Sequence, residues 1–120
     1  MIPYDPNNIF AKILTKDIPC NKIAESDHAL AFTDISPQAP THILVIPKGA
    51  YVSFADFSAQ ASQTEIVDFI RLVGQVAKAA GIEGDGYRLI TNHGAHAHQE
   101  VAHFHVHLCG GRALGPLLSD

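Results

Sequence analysis

Three histidines stand at alternate positions near the end of this sequence, where residues 103–108 read HFHVHL. Side chains two residues apart in a β-strand point to the same face, and neighbouring side chains point to opposite faces. The pattern therefore predicts a strand over residues 101–109 with His103, His105 and His107 along one face, about 6.6 Å apart at each step. The opposite face is apolar, and we expect it to pack on a helix.

The longest helix is predicted over residues 62–80, because apolar side chains recur there at helical spacing. Ser62 and Glu65 have the spacing of a capping box at its start, and Gly81 is typical of the position just after a helix end. The expected apolar face consists of Ile66, Phe69, Ile70, Val73, Val76, Ala77 and Ala80.

The other segments predict a short N-terminal helix, capped by Asn7 or Asn8, and four more strands. The strands are expected over residues 22–25, 29–33, 41–47 and 87–92, and the prolines of residues 34–40 predict a loop. Because strands occur in groups around one long helix, we expect an α+β fold with a mostly antiparallel sheet. One face of this sheet should be covered by helix, and the histidine face should be polar.

The size and composition of the chain predict one soluble domain over residues 1–120, with 47% hydrophobic and 17% charged residues. The net charge is −4 and the basic residues are scattered, so we expect neither a nucleic-acid nor a membrane partner. No apolar run approaches the ~18 residues of a membrane span, and the N-terminus lacks signal-peptide features. Cys20 and Cys109 are far apart, which favours two free thiols in a cytoplasmic protein.

The alternating histidines admit three interpretations from the residues alone. They can be half-exposed strand residues without function, although buried polar groups without partners are costly. They can bind zinc with His42 as a further ligand, but no carboxylate or cysteine is obviously placed to complete the set. They can act on phosphorus, because neutral imidazole is a nucleophile and imidazolium donates hydrogen bonds to phosphate oxygens.

Several motifs together resemble the Hint branch of the histidine triad (HIT) superfamily, which contains nucleoside phosphoramidases and nucleotide-binding proteins. These motifs are HFHVHL itself, FTDISPQAPTHILVIPK in the middle of the chain, QEV before the histidines and GGR after them. The similarity extends from NIFAKIL to Arg112. It implies a HIT-like α+β fold with a five-stranded sheet, one long helix and a short N-terminal helix. It also implies a homodimer that pairs through the long helix and a sheet edge.

The resemblance implies hydrolysis of purine nucleoside 5′-phosphoramidates, without a metal or other cofactor. His105 would attack the α-phosphorus and form a covalent nucleotidyl-histidine, which water then hydrolyses. His107 would hydrogen-bond the phosphate and assist the leaving group. His103 would support His105, through a backbone carbonyl that accepts from its other ring nitrogen. His42 matches a fourth family histidine, although by its position alone it can equally be a core residue.

The nucleotide site implied by the resemblance has three parts. Asp34 would accept hydrogen bonds from the ribose hydroxyls, although an Asp in this position is often only a turn residue. The base would bind an apolar slot, and the phosphate and leaving amine would lie near a polar group of residues. The slot comprises Ile9, Phe10 and Ile35, of which the first two also fit the core face of a helix, and the polar group comprises Asn92, Gln99 and Glu100.

The sequence departs from the family pattern at Thr33, His98 and Glu100, where histidine, glycine and serine respectively are common. Glu100 is expected to favour cationic leaving amines. Three alternatives remain open at this point. They are a nucleotide-binding regulatory protein with incidental catalysis, a zinc protein, and a nucleotide hydrolase or transferase from elsewhere in the superfamily.

Overall fold

A computed structural model describes residues 2–118, so the predicted domain over 1–120 extends beyond it at Met1, Ser119 and Asp120. Five strands form one sheet in the spatial order β1-β2-β3-β5-β4, and every neighbouring pair is antiparallel. The strands are β1 (Lys22–Glu25), β2 (Ala29–Thr33), β3 (Thr41–Pro47), β4 (Tyr87–Ile90) and β5 (Val106–Gly110). The predicted α+β fold with a five-stranded antiparallel sheet is therefore confirmed.

In the described part of the chain, three α-helices accompany the sheet: α1 (Ile9–Leu14), α2 (Phe54–Gln60) and α3 (Gln63–Ala79). The capping box predicted for the long helix is present, because the Ser62 hydroxyl accepts from the Glu65 N–H while the Glu65 carboxylate accepts from the Ser62 N–H. The buried face of α3 differs slightly from the prediction. Ile70 is exposed and Leu72 is buried in its place, and Ala80 is an exposed residue just after the end of the helix.

Apolar side chains cover both faces of the sheet, which corrects the expectation that only one face is covered. On one face, residues of β2, β3 and β5 pack with α2 and α3 around Phe57, Phe69 and Phe104. On the other face, Phe10 and Ile13 of α1 pack on alternate residues of β2 and β3. The second face is thus polar only where α1 leaves it uncovered, and this restricts the histidines to one end of the sheet.

The last two strands are shorter than predicted, β4 at its end and β5 at its start. β4 ends at Ile90, and β5 begins at Val106, so His103 and His105 precede the strand on which they were placed. The helix α2 and a short 3-10 helix at Ala95–Ala97 were not predicted. Among residues 2–118, no helix has both the length and the apolar character needed to cross a membrane.

Candidate active site

Strands β3 and β5 bring His42 and His107 together. Their register pairs Leu44 with His107 and His42 with Cys109, so both histidines lie on the sheet face that α1 partly covers. His42 Nε2 and His107 Nδ1 are 2.9 Å apart, a hydrogen-bond distance. His42 is buried and His107 is half-buried.

The hydrogen bond between Gln38 and His42 determines which nitrogens of His42 and His107 carry protons. The backbone N–H of Gln38 donates to His42 Nδ1 at 3.0 Å, so that nitrogen is an acceptor. A neutral imidazole carries its single proton on the other nitrogen. His42 Nε2–H therefore donates to His107 Nδ1, which leaves His107 with its proton on Nε2. The chain of contacts thus presents an N–H donor at His107 Nε2.

His105 is held in the opposite tautomer. Its Nδ1 lies 2.7 Å from the carbonyl oxygen of His103, and a carbonyl only accepts, so the proton is on Nδ1. The Thr91 hydroxyl donates to the His105 carbonyl at 2.8 Å and fixes the backbone from the side of β4. His105 Nε2 therefore carries a free lone pair. The carbonyl contact is the one expected from the sequence, and the nucleophilic role of His105 stays a prediction.

His103 lies behind the other two histidines, with a relative exposure of 0%. Its Nε2 donates to the Pro47 carbonyl at 2.8 Å, and its Nδ1 lies 2.7 Å from the hydroxyl of Tyr4. Phe10 packs edge-on against His105 with ring centroids 5.0 Å apart. His103 therefore has no ring nitrogen free for a ligand.

Burial keeps the three histidines neutral. It lowers the pKa of His103 and of His105 below the usual value. Burial, followed by the neighbouring His105 and His42 rings, lowers the pKa of His107 to about 4. Near pH 7, then, His105 can offer a lone pair while His107 offers an N–H.

A cavity of about 260 Å³ brings together most of the residues predicted for the site. From the prediction it is lined by Phe10, Asp34, Asn92, Glu100, His105 and His107. Leu44, Ser36 and Gln38 were not predicted and complete the wall on the side of β3. A lone pair, an N–H donor and carboxylates thus face the same space.

Three predicted nucleotide-site residues do not line this cavity. Ile9 and Ile35 are exposed, Ile35 at 94%, so the apolar slot is represented inside the cavity by Phe10. The Gln99 side chain instead organises its own loop. It donates to the carbonyls of Val52 and Val101 and accepts from the Gly94 N–H.

The two residues that depart from the family pattern next to Gln99 both line the cavity. His98 has left-handed backbone angles, with φ 58° and ψ 45°, which explains why glycine suits this position. Its Nε2 lies 3.3 Å from the Glu100 carboxylate, and both side chains are largely exposed. This exposed pair stands at the mouth of the cavity.

The structure places the carboxylate of Asp34 beside His42, although the sequence pattern placed no carboxylate near the histidines. Asp34 Oδ2 is 3.4 Å from His42 Nε2, and the possible ligand atoms of Asp34, His42 and His107 lie within 4.8 Å of one another. A metal binds the lone pair of an imidazole nitrogen, but His42 Nε2 carries a proton while Gln38 donates to Nδ1. Metal binding here would therefore require the Gln38–His42 hydrogen bond to break.

Several residues that orient the histidines were not predicted. Gln38 acts through its backbone N–H, so its side chain gives no signal in the sequence. Thr91 comes directly after β4, and threonine is so common in strands that it gives no functional signal. Tyr4 is 99 positions from the histidine it contacts. These contacts depend on how distant segments meet, which local patterns do not report.

Comparison with protein families matches the HIT domain over residues 15–114. The matched range includes His42, the three alternating histidines and most of the cavity wall, and it omits Tyr4 and α1.

Individual relatives agree with this match. An uncharacterised HIT-like protein of Azospirillum brasilense is 59% identical, covering 97% of this chain and 95% of that protein. The purine nucleoside phosphoramidase of Escherichia coli strain K12 is 47% identical, covering 92% of each chain. Among solved structures, a histidine triad protein from Clostridium difficile is 38% identical with a TM-score of 0.84, covering 97% of this chain and 100% of that one.

Proposed function

Because this chain belongs to the HIT domain family, we propose that it hydrolyses the P–N bond of purine nucleoside 5′-phosphoramidates through a covalent intermediate on His105. The observation that carries the proposal is the contact between His105 Nδ1–H and the His103 carbonyl, which frees the Nε2 lone pair as a nucleophile. The similarity to the phosphoramidase of Escherichia coli supports the choice of substrate.

The proposed reaction has two steps, transfer of the nucleotidyl group to His105 and hydrolysis of the resulting P–N bond. His105 Nε2 forms a bond to phosphorus as the P–N bond breaks, and the leaving nitrogen takes the electron pair and a proton from solvent. His107 Nε2–H donates a hydrogen bond to the phosphate and to the leaving nitrogen. Water then attacks phosphorus, the electron pair of the P–Nε2 bond returns to His105, and the water proton is released. His105 keeps its Nδ1 proton throughout, and the His103 carbonyl stabilises the positive charge of the intermediate.

The nucleoside part of the substrate is assigned to the end of the cavity nearest α1. Phe10 offers an apolar surface for the base, extended outward by Ile9 and Ile35. Asp34 accepts from the ribose hydroxyls, and its other oxygen is already oriented by the Ser36 N–H at 2.8 Å. Asn92 and Glu100 lie on the side of the phosphate and leaving amine, with Gln99 supporting their loop.

Amine release from adenosine 5′-phosphoramidate, followed in the presence of a chelator, tests the proposal. Wild-type protein should release the amine, and His105→Ala should abolish release. His96→Ala is the matched control, because His96 is an exposed histidine in the loop near the cavity and does not line it. Tight nucleotide binding without turnover would instead identify a regulatory protein, and activity lost with chelator would identify a metal enzyme. Either result would overturn the proposal.

We also propose a cytoplasmic homodimer formed through α3 and the edge strand β4. Ile70 and Val67 on α3 are exposed at 61% and 49%, and Leu89 on β4 is exposed at 49%. A partner subunit would cover these side chains and the free edge of β4. Ile70→Glu should convert a dimer into a monomer in sedimentation, and a wild-type protein that sediments as a monomer would contradict the assignment.

A further inference from the structure

The segment before α1 reaches the centre of the histidine cluster through the side chain of Tyr4. Tyr4 precedes α1, and its ring meets that of His103 edge-on with centroids 5.5 Å apart. The Tyr4 hydroxyl is 2.7 Å from His103 Nδ1. Because the Pro47 carbonyl holds the His103 proton on Nε2, Nδ1 is an acceptor and the phenol donates.

The peptide group after His103 connects this contact to the reacting nitrogen. Its carbonyl accepts from His105 Nδ1–H, and its N–H, which belongs to Phe104, donates to the Tyr51 carbonyl at 2.7 Å. A peptide group is planar, so its oxygen moves only when the whole unit moves. The side chain of His103, anchored at Tyr4 and Pro47, restrains this unit from the other side.

We infer that Tyr4 is a positioning residue for the proposed reaction: its hydroxyl fixes the His103 ring and thereby the carbonyl that orients His105. The inference rests on the proposed function. Local contacts order the segment that carries Tyr4, since Asp5 accepts through its side chain from the Asn7 N–H and through its carbonyl from the Asn8 side chain. Phe10, at the start of α1, packs on both His103 and His105.

Tyr4→Phe removes the hydroxyl and retains the ring, so it leaves His103 Nδ1 without its donor in a buried site. We expect kcat for amine release to fall roughly tenfold, as the loss of one oriented hydrogen bond predicts. KM should change less than about twofold, because Tyr4 does not line the cavity. This split between kcat and KM distinguishes positioning from binding.

The pH profile separates positioning from a general loss of stability. The hydrogen bond to the His103 carbonyl raises the pKa of His105, against the larger effect of burial. A loosened carbonyl should therefore move the acidic limb of kcat/KM to lower pH. The other titratable groups that face His105 are His103, His107, Asp34 and Glu100. Tyr4 contacts only His103 among them, and burial lowers the pKa of His103, so that ring stays neutral near pH 7. A smaller folded fraction would move this limb to higher pH instead, because the buried neutral histidines make the folded state less stable at acidic pH.

Ser26→Ala is the matched control. The Ser26 hydroxyl also donates a partly buried hydrogen bond to a side chain, the Asp68 carboxylate, at 2.5 Å, and Ser26 neither lines the cavity nor contacts a histidine of the cluster. We expect this substitution to lower the melting temperature while kcat and the acidic limb stay as in the wild type. If Tyr4→Phe and Ser26→Ala have the same kcat and the same limb, Tyr4 has no positioning role. If His105→Ala also retains activity, the proposed function has failed as well.

A measurement on the wild-type protein keeps the inference testable if Tyr4→Phe does not fold. Nitrogen-15 NMR of labelled histidine should show His103 as the Nε2–H tautomer, with Nδ1 shifted as in an acceptor of a hydrogen bond. A His103 that carries its proton on Nδ1 would overturn the inference, because the Tyr4 hydroxyl would then have no lone pair to donate to.

Discussion

Backbone groups that can act only as a donor or only as an acceptor determine which ring nitrogen of the histidines in the cluster carries the proton. A backbone N–H can only donate, and this assigns His42; a carbonyl can only accept, and this assigns His103 and His105. His107 takes its tautomer from His42. Chemically identical side chains thus differ in which ring nitrogen carries the proton, through three backbone contacts and the contact between His42 and His107.

His42→Ala tests the transfer of orientation from Gln38 through His42 to His107. Without the donor at 2.9 Å, His107 loses its preference for the Nε2–H tautomer, and we expect amine release to slow about tenfold. His42→Gln retains an N–H donor and should recover part of the rate. Single-turnover rates of the two variants give the answer, and equal rates for both would argue against an oriented donor.

The pH dependence of kcat/KM tests the environment of His105. Burial lowers its pKa, so the lone pair should remain available at a pH where an ordinary histidine is already protonated. We expect kcat/KM to fall with a midpoint below the ordinary histidine pKa of about 6.5. A decline centred at or above that value would show that His105 is solvated.

At the scale of elements, the sequence predicted which face of the sheet a residue lies on better than it predicted where each strand begins and ends. β5 starts late because the backbone before it has other partners: the Phe104 N–H donates to the Tyr51 carbonyl, and the His103 carbonyl accepts from His105 Nδ1–H. The alternation of HFHVHL continues through this stretch. It therefore indicates on which side a side chain lies, and it does not indicate whether the backbone is hydrogen-bonded to a neighbouring strand. The ladder with β3 stops at Val45 and Val106.

The helix α2 escaped prediction for a different reason. It has seven residues, fewer than an isolated helix needs, and depends on tertiary packing of Phe57 against Phe69 and Phe104. Its capping box, formed by Ser53 and Asp56, is a local signal that was present in the sequence. A capping box read on its own would have found the start of this helix.

Ser62→Ala tests the contribution of the capping box of α3. The Ser62 hydroxyl accepts from the Glu65 N–H at 3.1 Å, and its loss should lower the free energy of unfolding by about 1 kcal/mol. Ser58→Ala is the control, because Ser58 is exposed inside α2 and alanine favours a helix. Urea unfolding measures both, and amine release should be unchanged in each. A smaller loss for Ser62 than for Ser58 would contradict the capping role.

For the whole molecule, the buried histidines link stability to pH. Each has a folded pKa below its unfolded value, so the unfolded chain binds more protons once the pH drops below about 6.5. The stabilisation is complete above that pH and is lost as pH falls toward the folded values, which is about 4 for His107. Guanidinium unfolding at pH 7, 6 and 5 should show falling stability, with a shallower fall in His107→Asn. Stability that rises as pH falls over this window would contradict the burial of these groups as neutral rings.

The central claim, that His105 becomes covalently nucleotidylated, is tested most directly by trapping the intermediate. Wild-type protein is mixed with adenosine 5′-phosphoramidate, quenched within the first turnover under alkaline denaturing conditions that preserve P–N bonds, digested and examined by tandem mass spectrometry. We predict an adenylyl group on the peptide that contains His105, assigned to His105 itself and absent from His105→Ala. Amine released in that first turnover without any adduct, or an adduct on another residue, would contradict the account.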